Sequence, residues 1–246
     1  MDDAGPRGQE AVERALRLLA DPPGEPETSH GYLDLLGAAE RRKPGPVQAL
    51  WESNGGSALY DSAQSLARGV FTTLNPPFST LGLEQAGTAL DIGSGPGSVT
   101  STLGRYVGAR GLALGVDVSE SMLRRAVRDY ASANVGFIRA DARRLPFRDA
   151  CFDVVTCLAV LQLVPDPLTI VAEAARVLVP GGKVAIMVPS PGGRMGRRLG
   201  ELIAGPAGLW LPTADEIAEV LTGNGVTIVH SRQSALVLRV EGTKAG

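Results

Sequence analysis

Leu90-Asp91-Ile92-Gly93-Ser94-Gly95-Pro96-Gly97-Ser98 decides the fold. The apolar run Thr88-Ala89-Leu90 ahead of it reads as a buried strand, and Val99 to Tyr106 behind it reads as a helix. A strand that breaks into three alternate glycines and then a helix is a ligand-binding turn. Glycine is required where the chain turns tightly and a ligand must approach bare backbone. The helix behind the turn presents free N–H groups. By itself the turn does not settle the ligand. The dinucleotide fingerprint G-x-G-x-x-G would need a third glycine where this chain has Ser98. The acidic Asp91 just ahead of the glycines would repel a pyrophosphate and attract an ammonium.

Outward from the turn, strands and helices alternate. The pattern predicts strands at Thr88–Ile92, Leu112–Val116, Val135–Arg139, Phe152–Cys157 and Lys183–Val188. Helices are expected from a Ser119 cap to Tyr130 and from Asp166 to Val179, the second stopped by Pro180-Gly181-Gly182. Thr213 caps a further helix to Thr222, and Val226–His230 with Ala235–Val240 reads as a terminal hairpin. Such an alternation implies an α/β doubly wound parallel sheet covered on both faces.

Upstream, residues 1–86 read as a helical, Pro-punctuated cap with no strand signal. Helices are expected over Gln9–Ala20, Gly31–Arg42, Pro46–Glu52 and Ser57–Leu74. The core spans 87–246. Within it, residues 189–211 form a Gly-, Pro- and Arg-rich insertion expected over the ligand end of the sheet.

Composition bounds the function. With 44% hydrophobic and 20% charged residues in 246, the chain is globular. A net charge of −2 argues against a general nucleic-acid binder. Cys151 and Cys157 lack neighbouring His or Cys, so neither a zinc site nor a disulfide scaffold is expected, and a reducing, cytoplasmic setting fits. The N-terminus shows no signal peptide, and no run of 18 apolar residues predicts a membrane span.

Ligands of doubly wound sheets lie across the carboxyl ends of the strands. Asp91, Asp117 and Asp141 fall at or just past such ends. Asp117 follows Gly93 by 24 residues, the distance at which an acidic residue accepts ribose hydroxyls. Asp141 is placed to accept from an adenine amine. Each alone also reads as a turn former or helix cap. Together they describe an adenosine pocket beside a site for a positive group, and S-adenosylmethionine carries both.

The stretches Leu90–Gly97, Gly115-Val116-Asp117-Val118-Ser119-Glu120-Ser121-Met122-Leu123, Asp141-Ala142 with Leu145-Pro146-Phe147, Phe152-Asp153-Val154-Val155 and Ala175–Gly182 resemble the class I S-adenosylmethionine-dependent methyltransferases, in particular the quinone-biosynthesis and small-molecule group. The resemblance implies a Rossmann-like seven-stranded sheet of order 3-2-1-4-5-7-6 with one antiparallel strand. It places Asp91 and Gly93 by the methionine amine and lets backbone at Gly95 and Gly97 approach the cofactor. It puts Asp117 on the ribose, Met122 on the adenine face, Asp141 and the Ala142 amide on the adenine edge, and Leu158 by the methionine. It implies a small-molecule acceptor and leaves O-, N- and C-methylation open.

Members of this family often carry His-His after the fourth strand, where this chain has Gln162-Leu163. The remaining imidazoles are His30 and His230. His30 in the cap is a candidate base, with a surface histidine as the alternative. Tyr60, in Tyr60-Asp61, is a candidate to lie over the cofactor, with plain helix packing as the alternative. Tyr32, Trp51, Phe71, Phe78 and Trp210 are candidate pocket walls or core. Arg194, Arg197 and Arg198, like Arg143 and Arg144, read as an anion-binding cluster or as solvated charge. The alternative functions are a nicotinamide-dependent oxidoreductase, disfavoured by Ser98 and the lack of a Tyr-x-x-x-Lys pair, and a non-catalytic scaffold domain.

Overall fold

A computed structural model describes residues 8–37, 81, 87–189, 212–234 and 237–246. Five helices are labelled α1 Gln9–Leu16, α2 Ser98–Val107, α3 Glu120–Tyr130, α4 Pro167–Val177 and α5 Ala214–Gly223. The strands are β1 Leu33–Asp34, β2 Thr88–Ile92, β3 Leu112–Asp117, β4 Val135–Arg139, β5 Phe152–Leu158, β6 Leu178–Pro189, β7 Val226–Gln233 and β8 Val237–Lys244.

They form one sheet of order β1-β4-β3-β2-β5-β6-β8-β7. All neighbours are parallel except that β8 runs antiparallel to both β6 and β7. From β4 to β7 this is the expected 3-2-1-4-5-7-6 order. The order reverses at β2, the strand that feeds the glycine turn. A ligand crevice opens at such a switch point, outside the carboxyl ends.

Alternate strand residues feed two cores, as period-2 geometry demands. Leu90, Ile92, Leu114, Val116, Val155 and Ile186 pack with α1, α4 and α5 on one face. Ala89, Ala113, Phe137, Val154 and Met187 pack with α2 and α3 on the other. Each fully buried Leu, Ile or Phe contributes roughly 1.5–3 kcal/mol. Small residues sit where helices come close: a Cβ on Gly104 of α2 would run into a Val135 methyl of β4.

Helix α1 ends at Leu16, short of the expected Ala20, and Leu19 instead bridges to Phe147. The structure departs from the sequence expectations in three further places. Among the described residues the sheet has eight strands, because Leu33–Asp34 pairs with Ile138–Arg139 at the edge. No helix runs through 31–37, because Asp34 Oδ1 accepts from the Leu36 and Gly37 amides at 2.9 and 3.0 Å. Such side-chain bonds offer the backbone an alternative to the helix ladder. Third, α4 ends at Val177, and Leu178 already pairs with Phe152, so Pro180-Gly181-Gly182 forms an irregularity inside β6 rather than a helix stop.

The Thr213 cap is present as a full capping box with Glu216. Ser119 precedes α3 as expected, but its side chain makes no cap bond. Tyr32 is not a pocket wall: it is 1% exposed and packs with Leu81, Leu123 and Ala126. Tyr60, Trp51, Phe71, Phe78, Trp210, the Arg194–Arg198 cluster and residues 190–211 lie outside the described residues.

Candidate active site

The glycine turn leaves β2 at its carboxyl end. The Gly93 and Ser94 amides both donate to the Val116 carbonyl, at 2.8 and 3.0 Å, which pins the turn to β3. Gly93, Gly95 and Gly97 have φ of +68°, +50° and +87°. L side chains rarely adopt these values, so the three glycines are a backbone requirement. At Gly97 a Cβ would also meet Phe137 Cζ at 2.8 Å and Ala126 Cβ at 2.9 Å. At Gly95 no described residue lies within 4 Å of the Cβ position, so this backbone is open among the described residues.

Asp117, ending β3, binds the turn. Its Oδ2 accepts from the Gly95 amide at 2.8 Å and its Oδ1 from the Ser119 amide at 2.9 Å. Helix α2 starts at the turn; its N-cap Gly97 offers no side chain, and Asp91 accepts from the Thr100 amide in its first turn. A carboxylate ligand fits that end. The Ser94 hydroxyl is buried in the turn with no hydrogen-bond partner among the described residues.

Asp91 is 2% exposed. Thr100 Oγ1 of α2 donates to its Oδ2 at 2.7 Å, and Thr156 Oγ1 of β5 donates to its Oδ1 at 3.0 Å. Burial pushes its carboxyl up to about 7; the Asp117 charge adds to this and the two hydroxyls oppose it. Asp91 therefore ties β2, α2 and β5 together from inside the fold.

Asp141 caps the short 3-10 turn Ala142–Arg144 by accepting from the Arg143 amide at 2.9 Å. The Arg143 guanidinium grips the same carboxylate, Nη2 to Oδ2 at 2.5 Å and Nε to Oδ1 at 3.0 Å. Arg143 is thus a partner of Asp141, which corrects its reading as solvated charge or an anion site. Leu158, ending β5, is 8% exposed, and Met122 on α3 is half-buried.

Beyond β5 the chain turns through Ala159 at φ +59°. Val160 then lies on the glycine turn, its Cγ2 in the space that a Gly93 Cβ would take. Gln162 Nε2 donates to the Ala159 carbonyl at 2.7 Å, closing the loop on itself.

Residues 90–186 match the sequence profile of the methyltransferase domain family. Residues 90–186 are thus a methyltransferase domain. Demethylmenaquinone methyltransferase of Staphylococcus epidermidis is 39% identical over 113 residues, 46% of this chain and 47% of that protein. Ubiquinone/menaquinone biosynthesis C-methyltransferase UbiE of Stutzerimonas stutzeri is 32% identical over 169 residues, 66% of this chain and 64% of that protein. The chain thus spans about half the length of the first of these relatives and just under two thirds of the second. Among solved structures, phosphoethanolamine N-methyltransferase 2 of Haemonchus contortus, bound to S-adenosyl-L-methionine, superposes with a TM-score of 0.58 at 19% identity. The match covers 69% of this chain and 51% of that one. An S-adenosylmethionine-dependent methyltransferase of Mesorhizobium loti gives 0.56 at 19%, over 68% and 94%. At that identity the likeness is one of fold.

In the methyltransferase domain the sequence-predicted Asp91, Gly93, Gly95, Gly97 and Asp117 come together around one turn. Met122 follows Asp117 on the first turn of α3, while Asp141 with Ala142 and Leu158 sit beyond the end of β4 and at the end of β5. His30 does not join them. It is exposed and precedes β1, and its neighbour Gly31 packs on Val127, well along α3. No described group of three or more His, Cys, Asp or Glu could hold a metal ion. Among the described residues no helix is long and apolar enough to cross a membrane.

The residues missed by sequence reasoning are Thr100 and Thr156. A signal existed for one of them: Thr156 is a polar residue inside an apolar strand.

Proposed function

We propose that this chain transfers the methyl group of S-adenosylmethionine to a small organic acceptor in the cytoplasm. The observation that carries the proposal is the open backbone at Gly95, held by the Asp117 carboxylate that would take the ribose hydroxyls. Bound there, S-adenosylmethionine supplies a methyl carbon already activated by its sulfonium.

The residues then have separate tasks. Asp117 keeps two acceptor oxygens beside the turn while fixing the turn itself. The glycine turn and the start of α2 receive the cofactor carboxylate. Asp91 offers negative charge toward the amine end, and an ammonium there would favour its ionised form. Met122 packs on the adenine, and Asp141 with the Ala142 amide reads its edge. Leu158 and the Ala159–Leu163 loop border the methyl group, with Gln162 where relatives of the family often place histidine.

Catalysis of this kind rests on positioning. Holding a nucleophile in line with an activated carbon supplies up to about 7–11 kcal/mol. A base is needed only for an acceptor that is protonated at working pH. Two segments are assigned to the acceptor, residues 1–86 and the insertion 189–211. The support is that β6 delivers Pro189 at the carboxyl edge of the sheet, the edge that carries the glycine turn.

Titration calorimetry on the purified chain tests this. S-adenosylmethionine or S-adenosylhomocysteine is expected to bind in the low micromolar range, about −8 kcal/mol. No heat with either, alongside tight NAD binding, would overturn the proposal in favour of an oxidoreductase.

A further inference from the structure

Arg139 ends β4, beside the cofactor site, and it is 6% exposed. It pairs with Asp117 across the β3–β4 ladder. Its guanidinium reaches three elements. Nε donates to the Val118 carbonyl at 3.2 Å, in the turn that follows Asp117. Nη1 meets Asp34 Oδ2 of β1 at 3.0 Å and Glu120 Oε1, the first residue of α3, at 3.4 Å. Nη1 also donates to the Gly37 carbonyl at 3.4 Å.

Asp34 is itself fixed. Its other oxygen holds the Leu36 and Gly37 amides. The Leu35 amide donates to the Arg139 carbonyl at 3.0 Å, so β1 is sewn to Arg139 through backbone and side chain alike. Burial would raise the Asp34 pKa, but the two amides and the guanidinium outweigh it and hold it low. The Asp34 carboxylate stays ionised at neutral pH. A buried guanidinium that loses one anionic partner must reorganise around the others or draw in water. Here the others are Glu120 and Val118, which frame the turn that presents Asp117.

We propose that Arg139 is a positioning residue for cofactor binding: it sets the Asp117–Ser119 turn, and through Asp34 it makes that turn depend on the seating of the N-terminal segment. The inference rests on the S-adenosylmethionine reading above. It makes residues 31–37 part of the binding machinery although they are assigned no contact with the cofactor. Coupling is reciprocal, so the cofactor steadies the segment as much as the segment favours the cofactor.

The test uses the full-length chain and S-adenosylhomocysteine as probe. Calorimetry compares wild type with Asp34→Asn, Arg139→Lys and Arg139→Met, and hydrogen exchange follows residues 32–37. Asp34→Asn keeps an oxygen for the Leu36 and Gly37 amides but removes the charge. Arg139→Lys keeps the charge and loses the fork. A stability control is Asp153→Asn, which weakens the bond from the Thr88 amide to Asp153 (2.6 Å) at the opposite end of the sheet.

Asp34→Asn and Arg139→Met are expected to weaken binding about tenfold, and Arg139→Lys to recover part of that loss. Asp153→Asn is expected to lower the melting temperature with no change in affinity. Wild type is expected to gain protection at 32–37 with the probe, and Arg139→Met to gain none. If Arg139→Met does not fold, the two milder variants decide. Wild-type affinity in both of them overturns this inference alone. A wild-type chain that binds no S-adenosylhomocysteine overturns the cofactor reading, and this inference with it.

Discussion

The Asp117 carboxylate accepts the Gly95 amide at 2.8 Å, joining the end of β3 to the middle of the glycine turn. One side chain therefore shapes the turn and, in the proposed function, also takes the ribose of the ligand. The two roles separate on mutation. Asp117→Ala leaves the Gly95 and Ser119 amides without their acceptor, yet these groups are half-buried and water can reach them. Folding should suffer little. Binding should lose the hydrogen bonds to the ribose, which contribute about 1.5–3 kcal/mol each when one partner is charged. Calorimetry should show S-adenosylhomocysteine affinity down by a factor of about 10–100 with a small change in melting temperature. Unchanged affinity would reduce Asp117 to a helix-capping neighbour.

Gly97→Ala tests the turn from the other direction. A Cβ there takes a φ of +87° and meets Phe137 and Ala126 within 3 Å. The left-handed conformation costs roughly 1–2 kcal/mol and overpacking a further 1–3. Thermal unfolding should fall by several degrees, at about 2–4 °C per kcal/mol for a chain of this size. Gly95→Ala has the same backbone strain but no clash, so it should cost less stability while placing a methyl in the cofactor space. A Gly95→Ala protein that binds cofactor normally would show that this space is not used.

Asp91 links pH to stability with a definite sign. Its carboxyl is raised from an ordinary 3.8 to about 7, foremost by burial. The folded chain keeps a proton that the unfolded chain releases near pH 4. The stabilisation from this group is fully present below pH 4 and is lost as pH rises to 7. Asp91→Asn has no such titration and can still accept from Thr100. The stability of wild type relative to Asp91→Asn should therefore drop by ~4 kcal/mol between pH 4 and pH 8. Denaturant melts of both proteins at several pH values measure it, and a constant difference would place Asp91 in a more polar setting.

How much of this is legible in the sequence depends on the range of each constraint. The glycines are legible because positive φ is a local demand that glycine meets without strain. The parallel sheet is legible from the alternation of strands and helices, and its strand order from the family resemblance. Leu33–Asp34 is not, since two residues carry no period. Its reason for being a strand lies at Arg139, 105 residues away. The Asp91 network is hidden for the same reason. Thr100 and Thr156 come from different elements, and only the sheet order brings both hydroxyls to one carboxylate. Arg143 misleads when its charge is weighed alone instead of against Asp141 two residues earlier.

That last pair yields the remaining prediction. Asp141 is to accept the exocyclic amine of the adenine, and Arg143 already holds both of its oxygens. A carboxylate gripped from one side has a fixed orientation, so its remaining lone pairs point in fixed directions. A donor on the ligand is then rewarded and its absence penalised, because a site built to bond an N–H discriminates against an analogue lacking it. The wild-type chain should prefer S-adenosylhomocysteine over its inosine counterpart, which has a carbonyl in place of the amine, by about 10–100-fold. Arg143→Ala keeps Asp141, its charge and its bond from the residue-143 amide, but loses the guanidinium that orients the carboxylate. It should leave binding of the inosine analogue nearly unchanged and weaken binding of the adenosine compound, so that the preference shrinks several-fold. Competition calorimetry with the two ligands reads both numbers. An equal loss for both ligands would mean that Arg143 only supports the loop, and an undiminished preference would mean that the amine is read elsewhere.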